Sequence, residues 1–222
     1  VKPMIPKKLY FADLTHTAQG ISAATFPLGI SYVVAYAKQE LDVTYDVRLF
    51  KFPDRLEAAI ANEPPDMLCL SNYCWNSELA YTVARLTKAI SPQTIIVFGG
   101  PNFPIDEAEQ HDFLERHPAI DFYISLEGEL GFVDLVHKLE DNDFDTTRLM
   151  VNGTTCLNTS YLYEDQLITG PSERIVDVNQ IPSPYLSGVL DRFFDLPLSP
   201  MFETTRGCPF SCSFCADGIM IK

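Results

Sequence analysis

Three cysteines near the carboxyl end of the chain carry its most specific chemical signal. Cys208, Cys212 and Cys215 lie in the run Arg-Gly-Cys-Pro-Phe-Ser-Cys-Ser-Phe-Cys and have the spacing C-x-x-x-C-x-x-C. A short loop with this spacing can present three thiolates to three irons of a four-iron, four-sulfur (4Fe-4S) cluster. The fourth iron then has no protein ligand, so a substrate or cofactor can coordinate it.

A zinc site or a set of free thiols is the alternative interpretation of these cysteines. Structural zinc normally has four ligands, supplied as paired Cys-x-x-Cys or Cys/His units. The sequence has no histidine after Cys215, and the nearest one before the motif is His137. The spacing therefore favours the cluster. The remaining cysteines, Cys69, Cys74 and Cys156, are scattered along the chain, and a buried thiol behaves as a small apolar side chain.

The cysteine run and the residues before it resemble the cluster loop of radical S-adenosylmethionine (SAM) enzymes. In that family the loop follows the first strand of a β/α barrel, and Met201 to Thr205 is placed to be that strand. The resemblance implies that SAM binds the open iron and that Phe214 packs near its adenine. An electron from a donor such as flavodoxin or ferredoxin would cleave SAM to methionine and a 5′-deoxyadenosyl radical.

The position of the motif divides the chain into three predicted regions. Each β/α unit of a barrel needs about 30 residues, but the motif lies at the carboxyl end of the 222 residues. We therefore expect residues 200–222 to be the start of a truncated barrel domain. Residues 1–140 form an α/β domain, and residues 141–199 are a linker with two short strands around Thr154 to Leu157 and Tyr161 to Leu167.

Composition bears on possible partners and location. Sixteen basic and thirty acidic residues give a net charge of −14, and the pI is near 4.5. This balance argues against nucleic acid as a partner. No apolar run approaches the length of about 18 residues that a membrane span needs, and residues 1–8 lack the apolar core of a signal peptide. Unpaired cysteines fit a reducing compartment. We therefore expect a cytoplasmic protein without a membrane partner.

The first 140 residues have the pattern of an α/β sheet. Apolar strand-like segments alternate five times with amphipathic helical segments, which is typical of a parallel sheet with helices on both faces. The predicted strands are Leu9 to Asp13, Tyr45 to Phe50, Met67 to Ser71, Thr94 to Phe98 and Ile120 to Ser125. The third and fourth are continuously apolar, as interior strands are, whereas the second alternates like an edge strand. This favours a flavodoxin-like, doubly wound, five-stranded sheet of order 2-1-3-4-5.

Ligands of such folds bind beyond the carboxyl ends of the strands, so the loops there discriminate among ligands. The sequence has no G-x-G-x-x-G after the first strand, which argues against a dinucleotide. The third strand does not end in an aspartate, which argues against a phosphorylated receiver domain. Thr15, Thr17, Gly20 and Ser22 give a loose version of a flavodoxin phosphate loop. A flavin- or nucleotide-binding protein with a structural zinc therefore stays open.

The α/β region also resembles the cobalamin-binding domain that precedes the barrel in one large branch of radical SAM enzymes. The resemblance rests on Phe26 to Gly29, Ser71, Phe98 to Pro101 and Leu126 to Glu129. It implies that Gly99, Gly100 and Gly128 let the backbone approach a corrin ring or its nucleotide tail. Ser71 would hydrogen-bond to that tail. The ordinary alternatives are that these glycines only turn the chain and that Ser71 only caps a helix.

The sequence departs from the motifs of domains that bind cobalamin through a histidine. Those domains carry D-x-H-x-x-G after the first strand, whereas residues 13–20 read Asp-Leu-Thr-His-Thr-Ala-Gln-Gly. His16 is therefore a candidate lower axial ligand with altered spacing. The second motif, S-x-L, reads Ser71-Asn-Tyr73, and Tyr73 with Trp75 would either close the lower corrin face or pack against the sheet edge. We hypothesise binding without a histidine ligand.

Taken together, these patterns predict the amino-terminal part of a cobalamin-dependent radical SAM enzyme. The expected reaction is methyl transfer to an unactivated carbon of a small-molecule substrate, although ring formation and rearrangement also occur in this branch. Cobalamin, SAM and a 4Fe-4S cluster are the expected cofactors. A cobalamin-binding module without catalysis is the second possibility, because most of the barrel is not in this sequence.

Overall fold

The computed structural model describes residues 6–41, 45–207, 210, 212 and 213. Seven strands of these residues form one sheet: β1 (Lys7–Ala12), β2 (Tyr45–Phe50), β3 (Met67–Ser71), β4 (Ile95–Gly99), β5 (Phe122–Ile124), β6 (Thr159–Tyr163) and β7 (Gln166–Thr169). The α-helices are α1 (Leu28–Glu40), α2 (Pro53–Asn62), α3 (Ser77–Ile90), α4 (Glu107–Arg116), α5 (Gly128–Asp141) and α6 (Thr146–Val151). None of them has the length and hydrophobicity that a membrane span requires.

The first five strands are parallel and lie in the order β2-β1-β3-β4-β5. The predicted fold class and strand order are therefore confirmed. Every residue of β3 is buried, whereas four of the six residues of β2 are only half-buried. Burial on both faces explains the continuous apolar sequence of the inner strands, and the edge position explains the alternation in β2.

The hairpin of the predicted linker belongs to the same sheet. Strand β6 pairs antiparallel with β5, and β7 pairs antiparallel with β6, so the sheet has seven strands rather than five. The first hairpin strand begins at Thr159 and not near Thr154, which corrects the predicted position. The backbone there bonds elsewhere: the Leu157 amide donates to Asp134 at 2.8 Å, and the Thr154 carbonyl accepts from Tyr161 at 2.9 Å.

The two faces of the sheet are covered by different helices, because side chains alternate between the faces along each strand. Phe11 and Cys69 belong to the core beneath α1 and α5, and we call this side the slot face. Tyr10 and Leu68 belong to the core beneath α2, α3 and α4, and we call that side the closed face. Both cores are apolar, and among the described residues a large cavity lies on the slot face, at the carboxyl ends of its strands.

The segment that leads to the cysteine run lies against the loop between β1 and α1. Ser199 forms an isolated bridge with Thr25, and its carbonyl accepts from the Phe26 amide at 2.9 Å. The Tyr185 hydroxyl donates to the Met201 carbonyl at 2.6 Å. Met201 to Thr205, predicted as a barrel strand, pair with no strand among the described residues. An isolated backbone bridge at Ser199 and the Tyr185 hydroxyl, rather than a β-ladder, therefore hold this segment.

Candidate functional site: a slot at the carboxyl ends of the strands

A cavity of about 740 Å³ opens where the carboxyl ends of β3, β4 and β5 meet helices α1 and α5. Its volume lies within the range of about 300–1,000 Å³ that is usual for small-molecule sites. The position is the one at which doubly wound sheets bind their ligands. We call this cavity the slot.

The floor of the slot consists of two rows of side chains that neighbouring strands hold in register. The lower row is Phe11, Cys69 and Val97, and the upper row is Ser71, Gly99 and Ile124. The lower row is apolar and buried. In the upper row the central position has no side chain, so the floor has a notch at Gly99. An apolar floor with a notch suits a flat, bulky group inserted between the sheet and the helices.

Gly99 and Gly100 have different physical roles. A Cβ at Gly99 would come no closer than 3.4 Å to its nearest neighbour, the Ile124 carbonyl oxygen, so the surrounding protein does not require glycine there. Gly100 has a φ of +124°, and a Cβ would lie 2.7 Å from the Asn72 carbonyl oxygen. The turn itself therefore requires Gly100. Of this pair, Gly99 is the glycine that keeps space open in the slot.

Glycines also stand at the starts of the two helices that wall the slot. A Cβ at Gly29, in the first turn of α1, would lie 3.2 Å from the Tyr73 hydroxyl oxygen, and one at Gly128, which begins α5, would lie 3.1 Å from Val33. Both glycines line the slot. They allow α1, α5 and the loop after β3 to approach one another closely. The walls of the slot are therefore close together.

Ser71 lines the slot, but its hydroxyl proton is donated to a hydrogen bond within the protein. Its hydroxyl donates to Asp13 at 2.6 Å, and Asp13 forms an ion pair with Lys51 at 2.7 Å. The Lys51 side chain is 2% exposed, and a buried ammonium group needs such a partner. The Asn76 amide donates weakly to both Asp13 and Ser71, at 3.4 Å each. Towards a ligand, the Ser71 oxygen can therefore act only as an acceptor.

His16 does not line the slot. It is exposed, and its Nε2 lies 3.2 Å from the Trp75 carbonyl oxygen. A metal-ligating histidine usually donates its other ring N–H to a carboxylate, a backbone carbonyl or water, but here the nearby Asp13 is paired with Lys51 and Ser71. The candidate axial ligand and the slot are therefore not brought together in this structure.

Tyr73 and Trp75 form an aromatic surface beside the mouth of the slot. Their rings are stacked, with centroids 4.6 Å apart and planes 5° from parallel. Tyr73 lines the slot, and burial raises the pKa of its phenol. Trp75 is 55% exposed. The stack has one face that is available to another flat group.

A cluster of charges at the mouth was missed by the sequence interpretation. Glu127 and Glu129 flank Gly128, and each side chain is only 5% exposed. The Arg206 guanidinium lies between them: its Nη1 is 3.0 Å from Glu127 Oε2 and 2.9 Å from Glu129 Oε1. Arg174 reaches Glu127 from the other side, at 3.1 Å. The sequence shows the two glutamates on either side of a glycine at the start of a helix, and this pattern could have indicated the cluster. Its basic partners, however, lie 45 or more residues away in sequence.

The carboxylates of this cluster depend on their basic partners. Burial raises the pKa of Glu129, and the nearby Arg206 opposes that rise. Glu129 also lies in the first turn of α5, where the helix dipole favours a negative charge. Without Arg206, Glu127 would keep its ion pair with Arg174, but Glu129 would lose the ion pair that offsets its burial, which is costly.

The predicted cluster ligands are only partly described. Cys208, Cys215 and Phe214 lie outside the described residues, and Cys212 is exposed. The other cysteines behave as expected of thiols that are not ligands. Burial raises the pKa of Cys69 far above its ordinary value and raises that of Cys156 to about 12.

A doubly wound sheet with a ligand-sized slot at its carboxyl edge defines a cofactor-binding α/β domain. Within that class, residues 20–136 match the model of the B12 binding domain. The chain therefore belongs to the B12-binding domain family, and the prediction from the slot loops is confirmed at this level.

Named relatives fit the same family. The chain is 35% identical over 222 residues to 2-(S-pantetheinyl)-carbapenam-3-carboxylate methyltransferase of Streptantibioticus cattleyicolor. It is 32% identical over 221 residues to the cobalamin-dependent radical SAM methyltransferase TokK of Streptomyces tokunonensis. Each match covers 94% of this chain and 30% of the relative, so the chain spans less than a third of these relatives' length.

Solved structures support the fold. The structure of the cobalamin-dependent S-adenosylmethionine radical enzyme OxsB, with aqua-cobalamin and S-adenosylmethionine bound, matches this chain with a TM-score of 0.70. Sequence identity is 20%, and the match covers 95% of this chain and 28% of that one. The slot residues fit the ligand that the family binds, because the notch at Gly99 leaves room that a side chain would fill and Ser71 offers an acceptor.

Proposed function

We propose that this chain is the cobalamin-binding part of a cobalamin-dependent radical SAM enzyme that transfers a methyl group to an unactivated carbon of a small-molecule substrate. The observation that carries the proposal is the notched slot in a B12-binding domain, followed in the same chain by the three-cysteine run. Methyl transfer, rather than ring formation, is supported by the names of the two relatives described above.

In this function the slot would hold the nucleotide tail of cobalamin at the carboxyl edge of the sheet. The floor formed by Phe11, Cys69 and Val97 would exclude water, and Ser71, whose proton is donated to Asp13, would accept a hydrogen bond from the tail. When bound, the cluster and SAM supply a carbon radical on the substrate, and cobalamin supplies the methyl group.

Binding without a histidine ligand is part of this proposal. It is supported by the position of His16 outside the slot and by the ion pair that occupies Asp13. The Tyr73–Trp75 stack is the surface that would cover the lower corrin face. The test is the absorption spectrum of the chain with hydroxocobalamin. We expect the His16→Ala spectrum to match that of the wild type, whereas loss of an imidazole-ligated signal in this variant would refute histidine-free binding.

Cluster binding by Cys208, Cys212 and Cys215 is tested separately, by anaerobic reconstitution with iron and sulfide. We expect about four irons and four sulfides per chain. Replacing the three cysteines with alanine should abolish iron binding, whereas Cys74→Ala, a matched change at another exposed cysteine, should not. Equal iron in both variants would exclude the cluster. We expect no SAM cleavage by these 222 residues alone, since they span less than a third of the length of the two methyltransferases described above.

A donor of single electrons, such as flavodoxin or ferredoxin, is the protein partner that this chemistry requires. We also propose a cytoplasmic location, which the unpaired cysteines support: Cys69, Cys74, Cys156 and Cys212 are free thiols in the structure. The proposal of an electron donor is tested by mixing the reconstituted cluster with reduced flavodoxin or ferredoxin and monitoring its reduction by absorbance.

A further inference from the structure

Arg206 is held by more contacts than an arginine of a connecting segment needs. Its Nε and Nη2 donate to the two oxygens of Glu203, at 3.2 and 3.0 Å. Its Nη1 contacts both Glu127 and Glu129. All three guanidinium nitrogens thus have carboxylate partners, an arrangement that uses the planar fork of arginine and that lysine cannot reproduce.

The partners of Arg206 come from both walls of the slot. Glu127 immediately precedes α5, and Glu129 lies in its first turn. On the other side, the guanidinium carbon lies 5.5 Å from the ring centre of Tyr32, which belongs to α1. Arg206 itself lines the slot. One side chain therefore contacts both of the helices that wall the slot.

The loop that carries Glu127 has little freedom of its own. Leu126, a residue with a side chain, has a φ of +53°, a conformation that such residues seldom adopt. The carboxylates that follow it are buried and need a positive partner. A change in the slot that moves the start of α5 must therefore move Arg206 or break its ion pairs.

In sequence, Arg206 precedes Cys208, the first proposed cluster ligand, by two residues. We propose that Arg206 is a positioning residue that couples the cysteine run to the cobalamin slot, so that occupancy of the slot sets the order of residues 203–207. This inference rests on the proposed function, because the coupling needs cobalamin in the slot.

The test is hydrogen–deuterium exchange of the 222-residue chain with and without hydroxocobalamin, followed in a peptide that covers residues 201–207. In the wild type we expect cobalamin to slow exchange of this peptide by about tenfold. In Arg206→Met the peptide should exchange at one rate with or without the cofactor, even at saturation. Glu127→Gln with Glu129→Gln should behave in the same way. Arg206→Lys should restore only part of the effect.

A matched control is Arg148→Met, which removes an arginine that pairs with Asp143 at 2.7 Å on an exposed surface and does not line the slot. This variant should keep the full effect of cobalamin on residues 201–207. Cobalamin binding, measured on the same samples, distinguishes a failure of the proposed function from a failure of this inference. If the wild type does not bind cobalamin, the proposed function fails and this inference fails with it. If cobalamin binds but Arg206→Met retains the slowed exchange, only the inference is wrong.

Discussion

The slot face and the closed face are built from the same strands, yet in the part of the chain that the structure describes the ligand-sized cavity lies on the slot face. On the closed face, Tyr10, Leu68, Phe98 and Tyr123 are buried side by side, and the rings of Phe98 and Tyr123 contact each other. On the slot face the same strands present smaller groups at their carboxyl ends, above all Ser71 and Gly99. The difference lies in the last residue or two of each strand.

The core of the closed face and the notch of the slot use different residues of one strand. In β4, Phe98 fills the closed face and Gly99 opens the slot, whereas Val97 belongs both to the core of the slot face and to the slot floor. A substitution can therefore disturb folding or binding selectively.

Leu68→Ala should damage the fold without touching the slot. Leu68 is fully buried on the closed face and does not line the slot. Removing its side chain leaves a cavity, and we expect a loss of about 2–5 kcal/mol in the free energy of unfolding. Urea denaturation measures this loss. At a temperature where the variant is folded, its affinity for cobalamin should equal that of the wild type; a parallel loss of affinity would show that the two faces are not independent.

Gly99→Leu should weaken cobalamin binding without damaging the fold. The new side chain fills the notch in the slot floor, and we expect the dissociation constant for hydroxocobalamin to rise about 100-fold or more, equivalent to about 2.7 kcal/mol. Quenching of Trp75, the only tryptophan of the chain, by the corrin gives this constant. Gly99→Ala should weaken binding less and change the melting temperature little. Wild-type affinity in Gly99→Leu would mean that cobalamin binds elsewhere.

Gly100→Ala, at the neighbouring residue, tests whether the turn rather than the slot requires glycine. The added Cβ would collide with the Asn72 backbone in a conformation with a positive φ. We expect the variant to lose about 1–3 kcal/mol of stability, more than Gly99→Ala loses. Thermal unfolding of the two alanine variants in parallel checks the order. Equal losses would argue against the structural role that we assign to Gly100.

The smallest expected effect is on the pH dependence of stability and comes from Asp121. This residue lies at the opposite end of the sheet from the slot. Burial raises the pKa of its carboxyl group above the ordinary 3.8, although Lys88 at 2.6 Å opposes the rise. The folded state therefore holds this proton more tightly than the unfolded state. Stability from this group is present at low pH and falls as pH rises from about 3.8 through the raised value. Relative to Asp121→Asn, the wild type should lose stability over that interval, and parallel curves would contradict this.

Much of the fold could be predicted because local patterns determine it. Runs of apolar residues marked the five parallel strands, and the alternation in β2 marked it as an edge strand. The positions of Gly99, Ser71 and Gly128 at the slot also followed, because the carboxyl ends of parallel strands meet at one edge of the sheet. The hairpin strands were misplaced, since side-chain bonds of Asp134 and Tyr161 take up the backbone near Thr154.

Contacts between residues far apart in sequence could not be predicted. The ion pair of Asp13 with Lys51 and that of Arg206 with Glu127 join residues 38 and 79 positions apart. Neither pair has a local pattern, and only the folded chain brings the partners together. These contacts decide two functional questions: whether His16 has an aspartate partner, and what the residues before the cysteine run contact.

The most direct test is a crystal structure of the 222-residue chain with hydroxocobalamin bound. We expect the nucleotide tail to lie between Gly99 on the sheet and Gly128 on α5, with the corrin over the Tyr73–Trp75 stack and His16 away from the cobalt. A tail bound outside the slot, or a chain that crystallises without cobalamin at saturating concentration, would contradict the assignment of this slot as the cobalamin site.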